Sequence, residues 1–346
     1  MTIAVPLTLE QALDPQWLEQ ALAADSGGAR IVTVDCVEVI RTMATKVRFT
    51  VTFAGQDAPR AYCLKAFLDV DPVIAKGGGS TTVREADFYA QVAPHVDVRV
   101  PSCVASVVDR DAPLGVIIMR DLIADGARFC SAQEAFSAQE CAASLGQLAR
   151  LHAGRAVLDT MPWITPRLPN FVERPSVPAP LLQDLLDGPR GAGLPAPVRD
   201  AGRLEAALAA LAARDAALPQ FLIHGDCHAG NIYRTADGAG LIDWQLLQRG
   251  GWALDIAYHI AAVLPVDLAE REERHLLEHY LAEMRSLGQA MPDSEDAWRQ
   301  YREAPVYGYY LWSMTRRVDP PIIVLFVQRL GAAVARHGSH ALLGLD

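Results

Sequence analysis

The residues best suited to chemistry lie in one stretch, His224-Gly225-Asp226-Cys227-His228-Ala229-Gly230-Asn231, followed by Leu241-Ile242-Asp243-Trp244. Asp226 and Asn231 stand in Asp-x-x-x-x-Asn spacing, and Asp243 adds a second carboxylate downstream. A carboxylate that orients a hydroxyl, with an amide and a carboxylate to hold a metal, is a set suited to moving a phosphoryl group onto an alcohol. That chemistry is mostly positioning: charge on the transferring group is neutralised while the nucleophile is held in line. Asp226 is therefore the candidate catalytic base, and Asn231 and Asp243 the candidate magnesium ligands.

Such a centre also needs a lysine on the nucleotide phosphates and a glutamate to hold it. Lys65 lies in the apolar run Cys63-Leu64-Lys65-Ala66-Phe67, and Glu85 lies in Arg84-Glu85-Ala86-Asp87-Phe88-Tyr89. Lysine occurs only at positions 46, 65 and 76, so 28 of the 31 basic residues are arginine. A codon bias accounts for most of that, yet it makes a lysine kept inside a strand conspicuous. Read singly, Lys65 is an edge-strand lysine and Glu85 part of a solvated helix face. In order, upstream of Asp226, Asn231 and Asp243, they read as a pair, with Asp87 a rival to Glu85.

These side chains require elements to carry them. Val47, Phe49, Val51 and Phe53 alternate with Arg48, Thr50 and Thr52, the pattern of a half-buried antiparallel strand. Residues 31–40 and 60–68 supply neighbours, the latter bearing Lys65. Strands are expected near 104–108 and 116–119, and a helix over about 82–92. Residues 76–80, Lys-Gly-Gly-Gly-Ser, read as a flexible loop; the lysine precedes the glycines, so the P-loop order fails. One or two short helices are expected over 9–22, with Asp14-Pro15 as a start signal, and a further helix over 138–152. A Pro-rich loop is expected over 162–197, then a helix over 203–213. A short strand at 221–224 and a hairpin turning at Asp237-Gly238 frame the chemical stretch. From Asp255 onward the pattern is mainly helical, and Asp255 itself reads as a cap or a brace for the loop.

With these motifs in place, the chain resembles the superfamily of aminoglycoside phosphotransferases and choline kinases. More narrowly, it is similar to the ecdysteroid-kinase-like, or CHK-kinase-like, branch. The narrower likeness rests on Pro15-Gln16-Trp17-Leu18, Leu148-Ala149-Arg150-Leu151-His152-Ala153, and Ile242-Asp243-Trp244-Gln245 with Gly251 and Asp255-Ile256-Ala257. The resemblance implies an α+β, protein-kinase-like bilobal fold: a small antiparallel-sheet lobe over 1–119 and a mainly helical lobe over 120–346. It also implies ATP and Mg2+ as cofactors, a small-molecule hydroxyl acceptor, and a hinge at Met119, Arg120 and Leu122 that contacts adenine. Two departures stand out. The turn after the first strand, residues 41–46, has no glycine, and Arg120 occupies a position where the family often carries an acidic residue.

Other readings are weaker. His224, Asp226 and His228 could form a hydrolase metal triad, but that leaves Asn231 and Asp243 without a role. A catalytically silent nucleotide-binding relative is disfavoured by the intact Asp226, Asn231 and Asp243. Tyr301, Tyr307, Tyr309, Tyr310 and Trp312 suit a core and a substrate pocket equally; Arg302, Arg316 and Arg317 would favour an anionic or acyl-type acceptor over a polycationic aminoglycoside, but in an Arg-rich chain they read first as surface arginines.

Composition excludes several classes. A net charge of −10 and a pI near 5.4 disfavour nucleic acid and anionic membranes as partners. No apolar run nears the roughly 18 residues that suggest a membrane span, and the first residues lack the basic region of a signal peptide. Six cysteines without CxxC pairs suit a reducing cytoplasm. The sequence carries no sign of an oligomeric state.

Overall fold

The computed structural model describes residues 3–42 and 44–345, the side chains of 72–77 excepted. Met43, part of the glycine-free turn, lies outside the described residues. Three short helices, α1 (Leu9–Ala12), α2 (Pro15–Ala21) and α3 (Ala23–Ser26), open the chain. Asp14 starts α2: its carboxylate accepts from Trp17 N, and Pro15, which has no N–H to lose, takes the first position.

β1 (Ile31–Arg41), β2 (Thr45–Phe53) and β3 (Arg60–Ala66) follow, then β4 (Cys103–Asp109) and β5 (Leu114–Arg120), in an antiparallel sheet of order β1-β2-β3-β5-β4. The alternation in β2 is realised: Val47, Phe49, Val51 and Phe53 are buried with Leu18, Leu22 and Leu64. Registers pair Lys46 with Lys65, and Arg48 with Cys63 and Cys63 with Met119. Because side chains alternate along a strand, these five share the opposite face of the sheet.

Between β3 and β4 runs α4 (Pro72–Asp87), which ends in a π-helical turn over Phe88–Val92. The loop expected at 76–80 is therefore helical. Its glycines serve close approach: a Cβ at Gly79 would lie 2.1 Å from Pro113 O, and one at Gly115 of β5 would lie 2.4 Å from Thr82 O. Thr82 Oγ1 accepts from Gly115 N at 3.0 Å, a side-chain bond that ties the helix to the sheet at this close approach.

β6 (Arg128–Phe129) leads to the helical region. It comprises α5 (Ala138–Ala153), α6 (Arg167–Glu173), α7 (Ala179–Asp187), α8 (Ala196–Arg199), α9 (Ala201–Asp215), α10 (Ala253–Val263), α11 (Val266–Ser286), α12 (Ser294–Glu303), α13 (Pro305–Met314), α14 (Pro320–His337) and α15 (Ser339–Leu342). The stretch expected as a Pro-rich loop thus contains α6, α7 and α8. In each the prolines stand at or just before the first turn, where a missing N–H costs nothing.

β7 (Phe221–Ile223) pairs with β10 (Gln248–Gly250), while β8 (Ile232–Thr235) and β9 (Gly238–Leu241) form the hairpin, turning at residues 236–237. The architecture is α+β as expected, a small antiparallel sheet beside a larger helical body. No helix among the described residues is long and apolar enough to cross a membrane.

Candidate active site

Lys65 Nζ lies 2.7 Å from Glu85 Oε2 and 3.0 Å from Asp243 Oδ1, tying β3, α4 and the end of the hairpin to one ammonium. Asp87, the rival to Glu85, faces away and pairs with Arg110 at 2.7 Å. Burial alone would push the Lys65 pKa down, but Asp243 and Glu85 together hold it above the usual lysine range. For Asp243 burial acts upward, and Lys65 with Lys46 outweighs it, keeping the carboxyl below its ordinary value. Asp243 sits at φ 68°, a left-handed conformation uncommon for a side-chain-bearing residue and often found at functional sites.

Asp255, in the first turn of α10, fixes the loop that bears Asp226. Its carboxylate accepts from His224 N at 2.7 Å and Gly225 N at 2.9 Å, so it is the brace rather than a cap. His152 Nε2 donates to Asp255 Oδ2 at 3.2 Å, and Tyr280 OH meets His152 Nδ1 at 2.7 Å. Burial pushes the Asp255 pKa up, and these partners bring it below the ordinary range. His224 is fully buried with both ring nitrogens engaged: Nδ1 accepts from Asp226 N and Nε2 donates to Ile242 O. It links the loop bearing Asp226 to Ile242, the residue before Asp243, and cannot join Asp226 and His228 around a metal. Among the described residues no three His, Cys, Asp or Glu side chains converge for one.

Asp226 projects from this frame with its side chain one quarter exposed. Tyr258 OH donates to its Oδ1 at 2.8 Å, and Trp312 Nε1 donates to Tyr258 OH at 2.6 Å. Asn231 Nδ2 donates to Asp226 O at 2.8 Å and approaches Oδ2 at 3.3 Å, which orients the amide. His228 Nε2 is 3.8 Å from Oδ2; burial pushes its pKa down, and its Nδ1 accepts from Gly230 N.

A cavity of about 280 Å³ opens between the sheet and the segments that bear Gly230 and Asp243. Lys65, Glu85 and Asp243 line its inner end, and Met119, Arg120 and Leu122 line it at the end of β5. Arg120 turns its guanidinium to Asp25, 2.6 Å away, and lies over the Tyr62 ring, so its side chain is committed elsewhere. Lys46, Arg48 and Asp121 also line the cavity, Arg48 Nε donating to Asp121 Oδ2 at 2.9 Å. Sequence reasoning missed these, although Lys46 and Arg48 alternate with buried Val47 and Phe49 and so had to face the cleft. Tyr258 was missed too; it lies three residues after Asp255 on α10, hence on the same helix face.

The tyrosines of α12 and α13 and Trp312 are core residues, each at most 4% exposed. Arg302 spends a guanidinium N–H on His337 O.

A model described as the phosphotransferase enzyme family matches residues 53–297. Thiamine kinases of Salmonella, that of Salmonella typhimurium among them, are 39% identical over 80 residues, 23% of this chain and 25% of the relative. The match therefore spans about a quarter of those proteins' length. Among solved structures, Plasmodium vivax ethanolamine kinase superposes with TM-score 0.52 at 14% identity, covering 91% of this chain and 86% of that one. Choline kinase from Cryptosporidium parvum gives 0.52 at 12%, covering 96% and 93%. A choline/ethanolamine kinase family protein from Mesorhizobium loti gives 0.51 at 16%, covering 96% and 99%. At these identities the structural likeness is one of fold. The matches stop short of the ecdysteroid-kinase-like branch.

Proposed function

The chain belongs to the phosphotransferase enzyme family, and we propose that it transfers the terminal phosphoryl group of ATP, with magnesium, to a hydroxyl of a small molecule. The observation that carries this reading is Lys65 held between Glu85 and Asp243 at the inner end of the cavity. In this reading 1–119 is the nucleotide-binding lobe and 120–346 the catalytic and acceptor lobe.

Each residue then has a task. Met119, Arg120 and Leu122 border adenine, contributing backbone at Arg120 because its side chain is bound to Asp25. Lys65 holds phosphate oxygens and Glu85 holds Lys65. Asn231 and Asp243 suit magnesium, an ion that takes oxygen ligands and keeps several waters: the Asn231 N–H bond to Asp226 O leaves its amide oxygen as the ligating atom, and Asp243 would add a carboxylate. When bound, the ion neutralises charge on the phosphate oxygens. Asp226 orients the acceptor hydroxyl and takes its proton, Tyr258 and Asn231 fixing the carboxylate meanwhile.

An ADP-release screen over hydroxylated metabolites, with Asp226→Ala as control, tests the reading. Magnesium-dependent turnover lost in the variant is expected. Equal ADP release by both proteins with the best acceptor would remove Asp226 from its role.

A further inference from the structure

Two arginines beside the catalytic loop have no carboxylate partner among the described residues. Arg167, at the start of α6, is 6% exposed; its Nε donates to Tyr307 OH and its Nη1 to Gln248 Oε1, both at 2.8 Å. Arg84, one residue before Glu85 on α4, donates from Nη1 to Gln245 O at 3.0 Å. Every one of these acceptors is neutral. The partners of both side chains meet at Gly225: Tyr307 OH donates to Gly225 O, and a Cβ at Gly225 would lie 3.4 Å from Tyr307 Oη and 2.7 Å from Leu246 O. Arg167, through Tyr307, and Arg84, through the Gln245-Leu246 turn, are thus each linked to Gly225, the residue that precedes Asp226. The carboxylates nearby are engaged, Glu85 by Lys65, Asp226 by Tyr258 and Asp255 by the loop amides.

Arg167 is nearly buried, with its guanidinium over the Phe171 and Tyr307 rings, and Arg84 is half-buried. Like charges set near one another with reduced access to water and no carboxylate partner are costly unless an anion joins them. Consistent with this, burial and the neighbouring Arg167 both lower the Arg84 pKa. A guanidinium fork also matches the oxygens of a carboxylate or phosphate.

We propose that the acceptor is a hydroxylated anion, its carboxylate or phosphate bound by Arg84 and Arg167 while its hydroxyl meets Asp226. The proposal rests on the phosphotransferase reading above and restricts its acceptor class. Thiamine, choline and ethanolamine, for which the similar proteins are named, carry the opposite charge.

Matched acceptors test it: hydroxy acids against their amides, sugar phosphates against the free sugars, and choline, ethanolamine and thiamine as cations. ADP release and calorimetric binding in the presence of a non-hydrolysable ATP analogue are read on each. Anionic members should exceed their neutral partners at least about tenfold in kcat/KM or affinity, the size of one lost charge-assisted bond. Whether the hydroxy acids or the sugar phosphates lead identifies the anion. In Arg84→Gln and Arg167→Gln that ratio should collapse toward one with the KM for ATP unchanged. As a stability readout, Arg84→Gln should keep its Tm within about 2 °C of wild type. Preference for neutral or cationic members, in turnover or in binding, overturns the proposal; so do variants that lose stability but keep the wild-type ratio. Absence of ADP release with every acceptor counts against the phosphotransferase reading, and the binding series still decides the charge preference.

Discussion

The hydroxyl of Tyr258 donates to Oδ1 of Asp226 at 2.8 Å, and receives a hydrogen bond from Trp312 Nε1 at 2.6 Å. Tyr258 and Trp312 are both buried in the helical core, so the carboxylate proposed to meet the acceptor is steered from behind by rigid aromatics. Tyr258→Phe removes the donor and leaves the indole N–H unpaired, while keeping the ring's packing. Steady-state kinetics should show kcat lowered about tenfold, the equivalent of roughly 1.4 kcal/mol, with the KM for ATP unchanged. An unchanged kcat would mean that the hydrogen bond does not position the base.

Lys65, proposed to hold the nucleotide phosphates, also supports stability. It is the shared partner of two carboxylates, Glu85, which is buried, and Asp243, which is half-buried. Lys65→Met should destabilise the protein by about 3–5 kcal/mol, because breaking a buried pair strands the remaining charges. Adding Glu85→Gln should recover part of that loss, since one stranded charge goes. Urea unfolding of the single and double variants measures both effects; strictly additive losses would show that the two residues do not share an interaction.

Much of this frame was legible in the sequence because alternation and spacing are local. Val47 to Phe53 announced a half-buried strand, and the Asp226, Asn231 and Asp243 spacing announced the loop and hairpin that the fold displays. What escaped depends on contacts far along the chain. Gly77, Gly78 and Gly79 look like a flexible link until Pro113 and Gly115 are seen against α4. The prolines of 162–197 read as breakers because nothing nearby shows that they begin helices. The choice of Glu85 over Asp87 required Arg110, 23 residues from Asp87. Arg84 and Arg167 stand 83 positions apart in the chain, so no motif joins them.

The glycine contact carries its own test. A methyl at Gly79 would sit 2.1 Å from a backbone oxygen that cannot rotate aside, so α4 must lift from β4 and β5. Glu85 lies six residues, under two turns, along the same helix. Gly79→Ala, which favours an ordinary exposed helix by about 1 kcal/mol, should here destabilise by at least about 2 kcal/mol and raise the KM for ATP. Gly146 of α5 has nothing within 4 Å of its Cβ position, so Gly146→Ala is the control and should be neutral or stabilising. Both are read from thermal melts.

His259 should make the protein lose stability in mild acid. It is fully buried on α10; its Nδ1 donates to Cys227 O at 2.6 Å and its Nε2 faces Ser144 Oγ at 2.8 Å. Burial pushes its pKa down to about 4 from an ordinary 6.5. The sign follows from proton counting: between those values the unfolded chain binds a proton that the folded chain excludes, so acid favours unfolding. Stability contributed by this group is complete above pH 6.5 and falls as pH drops toward 4, by up to about 3 kcal/mol. His228 and His340, whose pKa values burial also lowers, add to the same slope. Asp255 acts in a lower window: its depressed folded pKa adds stability present above the ordinary carboxylate value and lost as pH falls through the folded one. Urea midpoints measured from pH 7.5 to 4.5 should therefore slope downward in the wild type. His259→Gln should start from a lower midpoint, having disturbed two hydrogen bonds, and should slope less. A variant curve parallel to the wild type would show that His259 does not carry the acid sensitivity.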